Sequence, residues 1–350
     1  MRYLDYLGKH GAAACEAMRV ATIAAGGAPS AEIVNVINAL WPLMSHAGNY
    51  PYMNYIAGPA ANEVDAQAVY LDGLQQASYD ADAVLWRDQV IANAGTVSAA
   101  RFSTIDTLIK ALKVGGAWAR RVDYFLLAAE NLPQANTSLK RALLTTLANN
   151  PVFTPDRGVM FGGTTYMDLK FIPSTQGGGI YTANSREIGC YERTNATAQY
   201  AMGVIQGPNS DTYSPRIGGN VPTGSIGGSA LTPVATVTTS VGWSTIFKKS
   251  GSEWGFRRNG TLHEAMVGTD VATLASMAMY GGGRNNSGSL SNPRTSQIAA
   301  FMVGGYADDA IALAEYDAIQ AWATEIGANV FAVQTPAAVT PRPRNPRPSR

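Results

Sequence analysis

Charge is scarce in this sequence. Charged residues make up 15% of the 350, against about 25% in ordinary soluble domains. The 26 Lys and Arg nearly cancel the 25 Asp and Glu, leaving a net charge of +1. Proteins that grip duplexes or membrane surfaces show a basic field, so no nucleic acid partner is expected. Cysteine is scarcer still. Cys15 and Cys190 stand far apart in sequence, which excludes a disulfide framework and leaves buried or free thiols. His10, His46 and His263 show no His-x-x-x-His or Cys-x-x-Cys spacing, so no metal and no cofactor are expected. Calcium would want converging oxygens, and the sequence after Asp123 offers no Asp-x-Asp or Asp-Asn cluster. No run reaches the roughly 18 apolar residues of a membrane helix, so membrane insertion is not expected. Lys9, His10, Glu16 and Arg19 interrupt the first stretch, which therefore lacks the apolar core of a signal peptide; the expectation is assembly in a cytoplasm. Neither a Gly-x-Ser-x-Gly elbow nor a Gly-Lys-Ser/Thr phosphate loop occurs.

What the sequence has in quantity is glycine, 36 residues where about 7% is usual, and short apolar runs between turn signals. Residues 1–92 are Ala-rich and divided by GGAPS, GNYPY and AGPAAN. Ser30 caps one short helix, Asn62 opens another, and Trp86 with Val90 marks a third. The linker between the first two clusters Tyr50, Tyr52 and Tyr55, a composition suited to an assembly interface. A stronger helix is expected from Ser98 to Val114, with Phe102, Ile105, Leu108, Ile109 and Leu112 on one face and Gly115-Gly116 ending it.

From Asp123 the period changes. VDYFLLAAE, IGCYERT and AQYAMGVIQ read as strands, and residues 207–232 as a long loop or edge-forming insertion. In WSTIFKK, Trp243, Thr245 and Phe247 share one face and Ser244, Ile246 and Lys248 the other, the pattern of a half-buried strand. Asn259-Gly260 supplies a hairpin turn after EWGFRR. Further strands are expected at Leu274–Tyr280 and Gln297–Val303, with a polar loop over 281–294 between them. Asp308 then caps a helix carrying Ala312, Tyr316, Ile319, Ala323 and Ile326, ending at Gly327. Strands spaced by turn signals in this way predict a sandwich or jelly roll. The tail alternates Pro with Arg342, Arg344 and Arg347, so it is extended and is a candidate arm for gripping a neighbouring subunit.

The order of these segments resembles a known family. The Arg258-Asn259-Gly260 turn, Gly282-Gly283-Arg284-Asn285-Asn286, Gln297-Ile298-Ala299-Ala300 and the helix ending Ile326-Gly327-Ala328 are similar to the C-terminal end of concanavalin-like (LamG-type) jelly-roll domains of bacteriophage and prophage virion proteins. The run from Asn93 to Arg101, through Leu108–Lys113 and Ala117–Arg120 to Tyr124–Glu130, is similar to the entry into the same domain. The resemblance covers roughly residues 91–332 and brings no catalytic motif. It implies an α+β chain: a helical anchoring region over 1–92, an antiparallel concanavalin-like β-sandwich over 93–332 closed by a C-terminal helix, and an extended tail over 333–350. It also implies a virion component with other virion proteins as partners, as a homo-oligomer.

Function is then a choice between binding, scaffolding and hydrolysis. Retaining glycoside cleavage wants two carboxyl groups about 5 Å apart, and the nearest acids between Asp123 and Glu264, namely Glu187 and Glu192, have opposite strand parity. A pair could come only from distant strands, such as Asp168 with Glu253. Sugars are held by ring stacking with amide and guanidinium hydrogen bonds, and Trp254, Tyr280, Arg284, Asn285 and Asn286 offer those groups. The expectation is a non-enzymatic module binding a cell-surface polysaccharide or a neighbouring virion protein; a purely structural role and polysaccharide hydrolysis are the alternatives.

Overall fold

The computed structural model describes residues 79–330, apart from 198, 218–219, 232–235 and 268–272. The expectations for Tyr50, Tyr52, Tyr55, Arg342, Arg344 and Arg347 lie outside the described residues. From Ala81 on, the chain folds as two facing β-sheets, mostly antiparallel, with helices before and after them. Strands are numbered in chain order. The first sheet has eight, in the order β13 (Thr261–Val267), β12 (Glu253–Arg258), β11 (Gly242–Lys248), β6 (Arg186–Glu192), β17 (Gln297–Gly304), β4 (Gly158–Met160) and β3 (Val152–Thr154), with β1 (Arg121–Leu126) also on β17. The second has nine: β10 (Ser229–Leu231), β9 (Val221–Ile226), β8 (Asn209–Ile217), β7 (Met202–Gln206), β14 (Tyr280–Gly281), β5 (Tyr166–Asp168) and β2 (Thr146–Ala148), plus the hairpin β15 (Arg284–Asn286) and β16 (Ser289–Ser291).

Period-2 alternation decides what meets between the sheets. Ile188 and Cys190 of β6, Ile246 of β11, Trp254 and Phe256 of β12, and Phe301 and Val303 of β17 join Met167, Met202, Val204, Tyr213 and Ile226 of the second sheet in one buried cluster. Tyr213 lies 5.9 Å from Phe256 across the gap.

The opposite face of the first sheet is covered too. The helix Ala99–Val114 starts at Ser98, whose side chain accepts from Arg101 N, and buries Phe102, Ile105, Leu108, Ile109 and Leu112, as the sequence predicts. The closing helix Asp309–Glu325 is capped by Asp308, which accepts from Ile311 N. It packs on the Ala99–Val114 helix and on β13. At the β12–β13 turn, Asn259 and Gly260 take positive φ values of 50° and 75°. A Cβ on Gly260 would sit 2.8 Å from Tyr316 Cβ and 2.9 Å from Leu313 Cα, so glycine there serves the turn and lets the closing helix approach.

This helix layer corrects the expectation of half-buried strands. All seven residues of β11 and all seven of β6 are buried, because one face meets the other sheet and the other meets helices. Two further expectations are corrected, and one pair of alternatives is decided. Leu274–Met279 form no strand; their backbone instead bonds the 169–174 segment, Leu169 N to Met279 O and Ser174 N to Ala275 O. Of the two readings of 207–232 the edge-forming one holds: Asn209–Ile217, Val221–Ile226 and Ser229–Leu231 are the ladder β8–β9–β10 at the sheet edge. Within 281–294, β15 and β16 pair with each other, and β15 also runs parallel to β7.

Candidate ligand-binding face

Beneath the closing helix lies the densest polar cluster. Arg121, fully buried, donates from Nε and Nη2 to the two oxygens of Glu315 at 2.7 and 2.6 Å, and from Nη1 to Glu187 at 2.9 Å. Glu187 also accepts from Thr245 at 2.7 Å and from Arg257 at 3.0 Å, and Tyr124 donates to Glu315 at 2.7 Å. Burial alone would raise the Glu187 carboxyl, but Arg121 and Arg257 hold it below the ordinary carboxylate range. Every group has its partner and none is reachable. This cluster ties a helix to a sheet.

The second sheet presents a different outer face. Across it, the register aligns Thr146, Asp168, Tyr280, Gly203, Thr212 and Ser225 in one row. Their neighbours Met167, Met202 and Tyr213 point into the core. Tyr166, two residues before Asp168, shares the outward face and stacks on Tyr280 with centroids 4.3 Å apart and planes 26° from parallel. Burial, then the neighbouring Tyr166 and Asp168, push the Tyr280 phenol up to about 12. Gly203, between Tyr280 and Thr212, leaves the floor without a side chain; a Cβ there would lie 2.7 Å from Asp211 O and 2.8 Å from Thr212 Cγ2. In β15, Asn286 opposes Ile205, so Asn286 and Arg284 alternate onto this face. The Arg284 guanidinium lies 4.5 Å from the centroid of the Tyr200 ring.

Three of the five residues expected to bind a ligand therefore fall on one face: Tyr280, Arg284 and Asn286. Asn286 is exposed, Arg284 half-buried and Tyr280 9% exposed. Two do not. Trp254 is 1% exposed in the core, its indole donating to Ile226 O at 3.1 Å, because its parity on β12 turns it toward the opposite sheet. Asn285 is 2% exposed; its amide donates to Ala278 O and its oxygen accepts from Gly288 N, which shapes the hairpin. Tyr166 and Tyr200 were missed. The alternation around buried Met167 could have turned Tyr166 outward; nothing local marks Tyr200.

The acids do not form an open pair. Asp168 is bonded to Lys170 at 2.8 Å and Glu253, on the other sheet, to Lys249 at 3.3 Å. Glu187 and Glu315 converge only on the sealed Arg121. Among the described residues, no group of three or more His, Cys, Asp or Glu side chains could hold a metal ion, and no helix is long and apolar enough to cross a membrane.

No family model and no curated protein matches the sequence. Among solved structures, the chain is similar to a mutant of Trypanosoma rangeli sialidase displaying trans-sialidase activity, with 12% identity over 64% of this chain and a TM-score of 0.37. The match spans 40% of that sialidase's length. It is also similar to domain 4 of an extracellular arabinanase from Geobacillus stearothermophilus in complex with arabinotriose: 10% identity, 55% of this chain, 97% of that one, TM-score 0.37. The CBM40 of Ruminococcus gnavus IT-sialidase, bound to alpha2,3 sialyllactose, matches with 15% identity over 45% of this chain and 94% of its own, TM-score 0.33.

Proposed function

We propose that the protein is a virion component whose sandwich, a concanavalin-like jelly roll, binds a cell-surface carbohydrate on the outer face of its nine-stranded sheet. The observation that carries the carbohydrate reading is the Tyr166–Tyr280 stack, at 4.3 Å, on the same face as Arg284 and Asn286. A saccharide needs an aromatic platform beside amide and guanidinium donors, and this face supplies both in a neutral setting. Binding is favoured over hydrolysis because Asp168, the acid on the face, is engaged by Lys170, and Glu253 lies on the other sheet. The virion setting rests on the resemblance of segment order, as does assembly of copies into a homo-oligomer; mass spectrometry of purified particles from the encoding genome, followed by light scattering of the isolated chain, tests both.

The test of binding is a glycan panel with the full chain and with Tyr166→Ala. Retention of one saccharide class by the wild type, at least tenfold weaker in the variant while its melting curve is unchanged, supports the reading. Unchanged retention by the variant, or release of oligosaccharide fragments lost on Asp168→Asn or Glu253→Gln, overturns it. A scaffold role is the second reading. It is favoured by Leu85 and Ile91 on the helix Ala81–Ala92, apolar side chains 51% and 54% exposed, and it predicts no saccharide retention at all.

A further inference from the structure

We infer that the group this face distinguishes is a carboxylate, so that the ligand is an acidic saccharide read by Arg284; the inference rests on the carbohydrate reading above.

The argument begins with the protein's other buried arginines. Arg101 is held by Asp156, Arg121 by Glu187 and Glu315, Arg186 by Asp211, Arg257 by Glu187 and Asp309, and Arg294 by Glu192. In each case a guanidinium taken out of water has its own carboxylate, as the cost of burying a charge demands. Among the described residues Arg284, less buried than these, has no carboxylate, and unlike half-buried Arg193 it is not spent on an amide or carbonyl instead. It is half-buried, its Nε is buried with no hydrogen-bond partner, and its contact is the face of Tyr200. An aromatic ring behind a guanidinium fixes its plane and leaves the N–H edges to bond outward. What fits the outward Nη edge of such a planar fork is a bidentate acceptor, a carboxylate, as Glu315 is for Arg121 and Glu192 for Arg294.

The rest of the face is compatible with an anion. Asp168 is neutralised by Lys170 at 2.8 Å and also accepts from Lys170 N. Asn286, exposed and two residues along β15, adds an amide, and the tyrosine stack offers the ring platform. A carboxylated pyranose would lie with its ring toward Tyr166 and its carboxylate toward Arg284.

The experiment uses oligosaccharides containing uronic or keto-sugar acids, each paired with its methyl ester, and a glutamate oligomer of matched charge. Binding to the full chain, to Arg284→Gln and to Arg284→Lys is measured by calorimetry. The acid form of at least one pair should bind about tenfold tighter than its ester, the size of one charge-assisted hydrogen bond. Arg284→Gln should erase that difference, so that acid and ester bind alike, and Arg284→Lys, a point charge without the fork, should restore only part of it. Equal binding of acid and ester would overturn the inference and leave the carbohydrate reading standing. So would an acid preference that survives Arg284→Gln, or glutamate oligomers binding as tightly as the sugars. Failure of every saccharide, acid or neutral, would remove the carbohydrate reading and this inference with it.

Discussion

On the first sheet the outward positions carry Tyr124, Glu187, Thr245 and Arg257, and the closing helix lies over them with Glu315 facing down. On the second, the equivalent positions carry Asp168, Tyr280, Gly203, Thr212 and Ser225. Charge in this charge-poor chain is thus concentrated where it is sealed and cross-linked. The neutral, aromatic chemistry is left on the other sheet, where Thr146, Tyr166, Asp168 and Ser225 are at least partly exposed and Thr212, between them, is buried. Buried ions fix one arrangement of partners, which suits attaching a helix in a single register. A binding face needs groups with hydrogen-bonding capacity still unspent.

Breaking the sealed face should give the largest effect. Arg121→Ala leaves Glu187 and Glu315 facing each other without their shared cation, both under 2% exposed, and uncompensated buried charge costs about 3–5 kcal/mol. Chemical denaturation should show that loss. Removing the charge of both partners, Arg121→Met with Glu315→Met, should recover part of it, since Glu187 keeps Arg257 and Thr245. A double variant no more stable than the single one would mean that packing, rather than charge, holds the helix.

The open face should yield less. Gly203→Val puts a branched side chain where even a Cβ would meet Asp211 O at 2.7 Å; overpacking of this kind costs about 1–3 kcal/mol. It also fills the gap between Tyr280 and Thr212, so saccharide retention should fall further than stability does. If binding survives at wild-type strength, the ligand does not lie over β7.

Acid and alkali should separate the two faces. The Glu187 carboxyl is lowered in the folded protein, so its stabilising contribution is fully present above its unfolded value of about 4.3 and is lost as pH falls through the lower folded value. Melting temperature should hold from neutrality to about pH 5 and fall below about pH 4. The Tyr280 phenol is raised to about 12. Its contribution is complete below its unfolded value of about 10 and is lost as pH climbs from there through the folded value. In tyrosinate absorbance, Tyr280→Phe should remove one late-titrating group; loss of an early one would contradict the stack.

How far these faces could be foreseen depends on parity. Alternation in WSTIFKK separated Ile246 from Trp243, Thr245 and Phe247 correctly, and the cap at Asp308 set the start of the closing helix. Neither signal reveals that a helix will cover the second side of β11, because burial on both faces needs a partner from elsewhere in the chain. Trp254 shows the same limit: an aromatic beside charged neighbours reads as either core or platform until the opposite sheet is in place. Glu315 was invisible for a related reason. A glutamate among Ala and Ile on a helix looks solvated, and only Arg121, 194 positions away, makes it internal. The 281–294 stretch read as loop because its strands are three residues each, too short for periodicity to register.

The smallest expected effects sharpen the contrast to neighbouring residues. Asn285 and Asn286 share a side-chain type and a strand, yet alternation turns one in and the other out. Asn285→Ala deletes the bonds to Ala278 O at 2.8 Å and from Gly288 N at 2.7 Å, and losing both should cost about 1–2 kcal/mol. Asn286→Ala removes an exposed amide and should change stability by no more than about 0.5 kcal/mol. Its effect belongs to the ligand: a neutral hydrogen bond of about 1 kcal/mol, or a several-fold weaker retention of the bound saccharide. Paired melting and binding curves should therefore cross, Asn285→Ala lower in stability and Asn286→Ala lower in affinity. If Asn286→Ala leaves affinity untouched while Tyr166→Ala lowers it, the ligand lies along β5 and β14 and does not reach β15, and the place assigned to Arg284 falls with it.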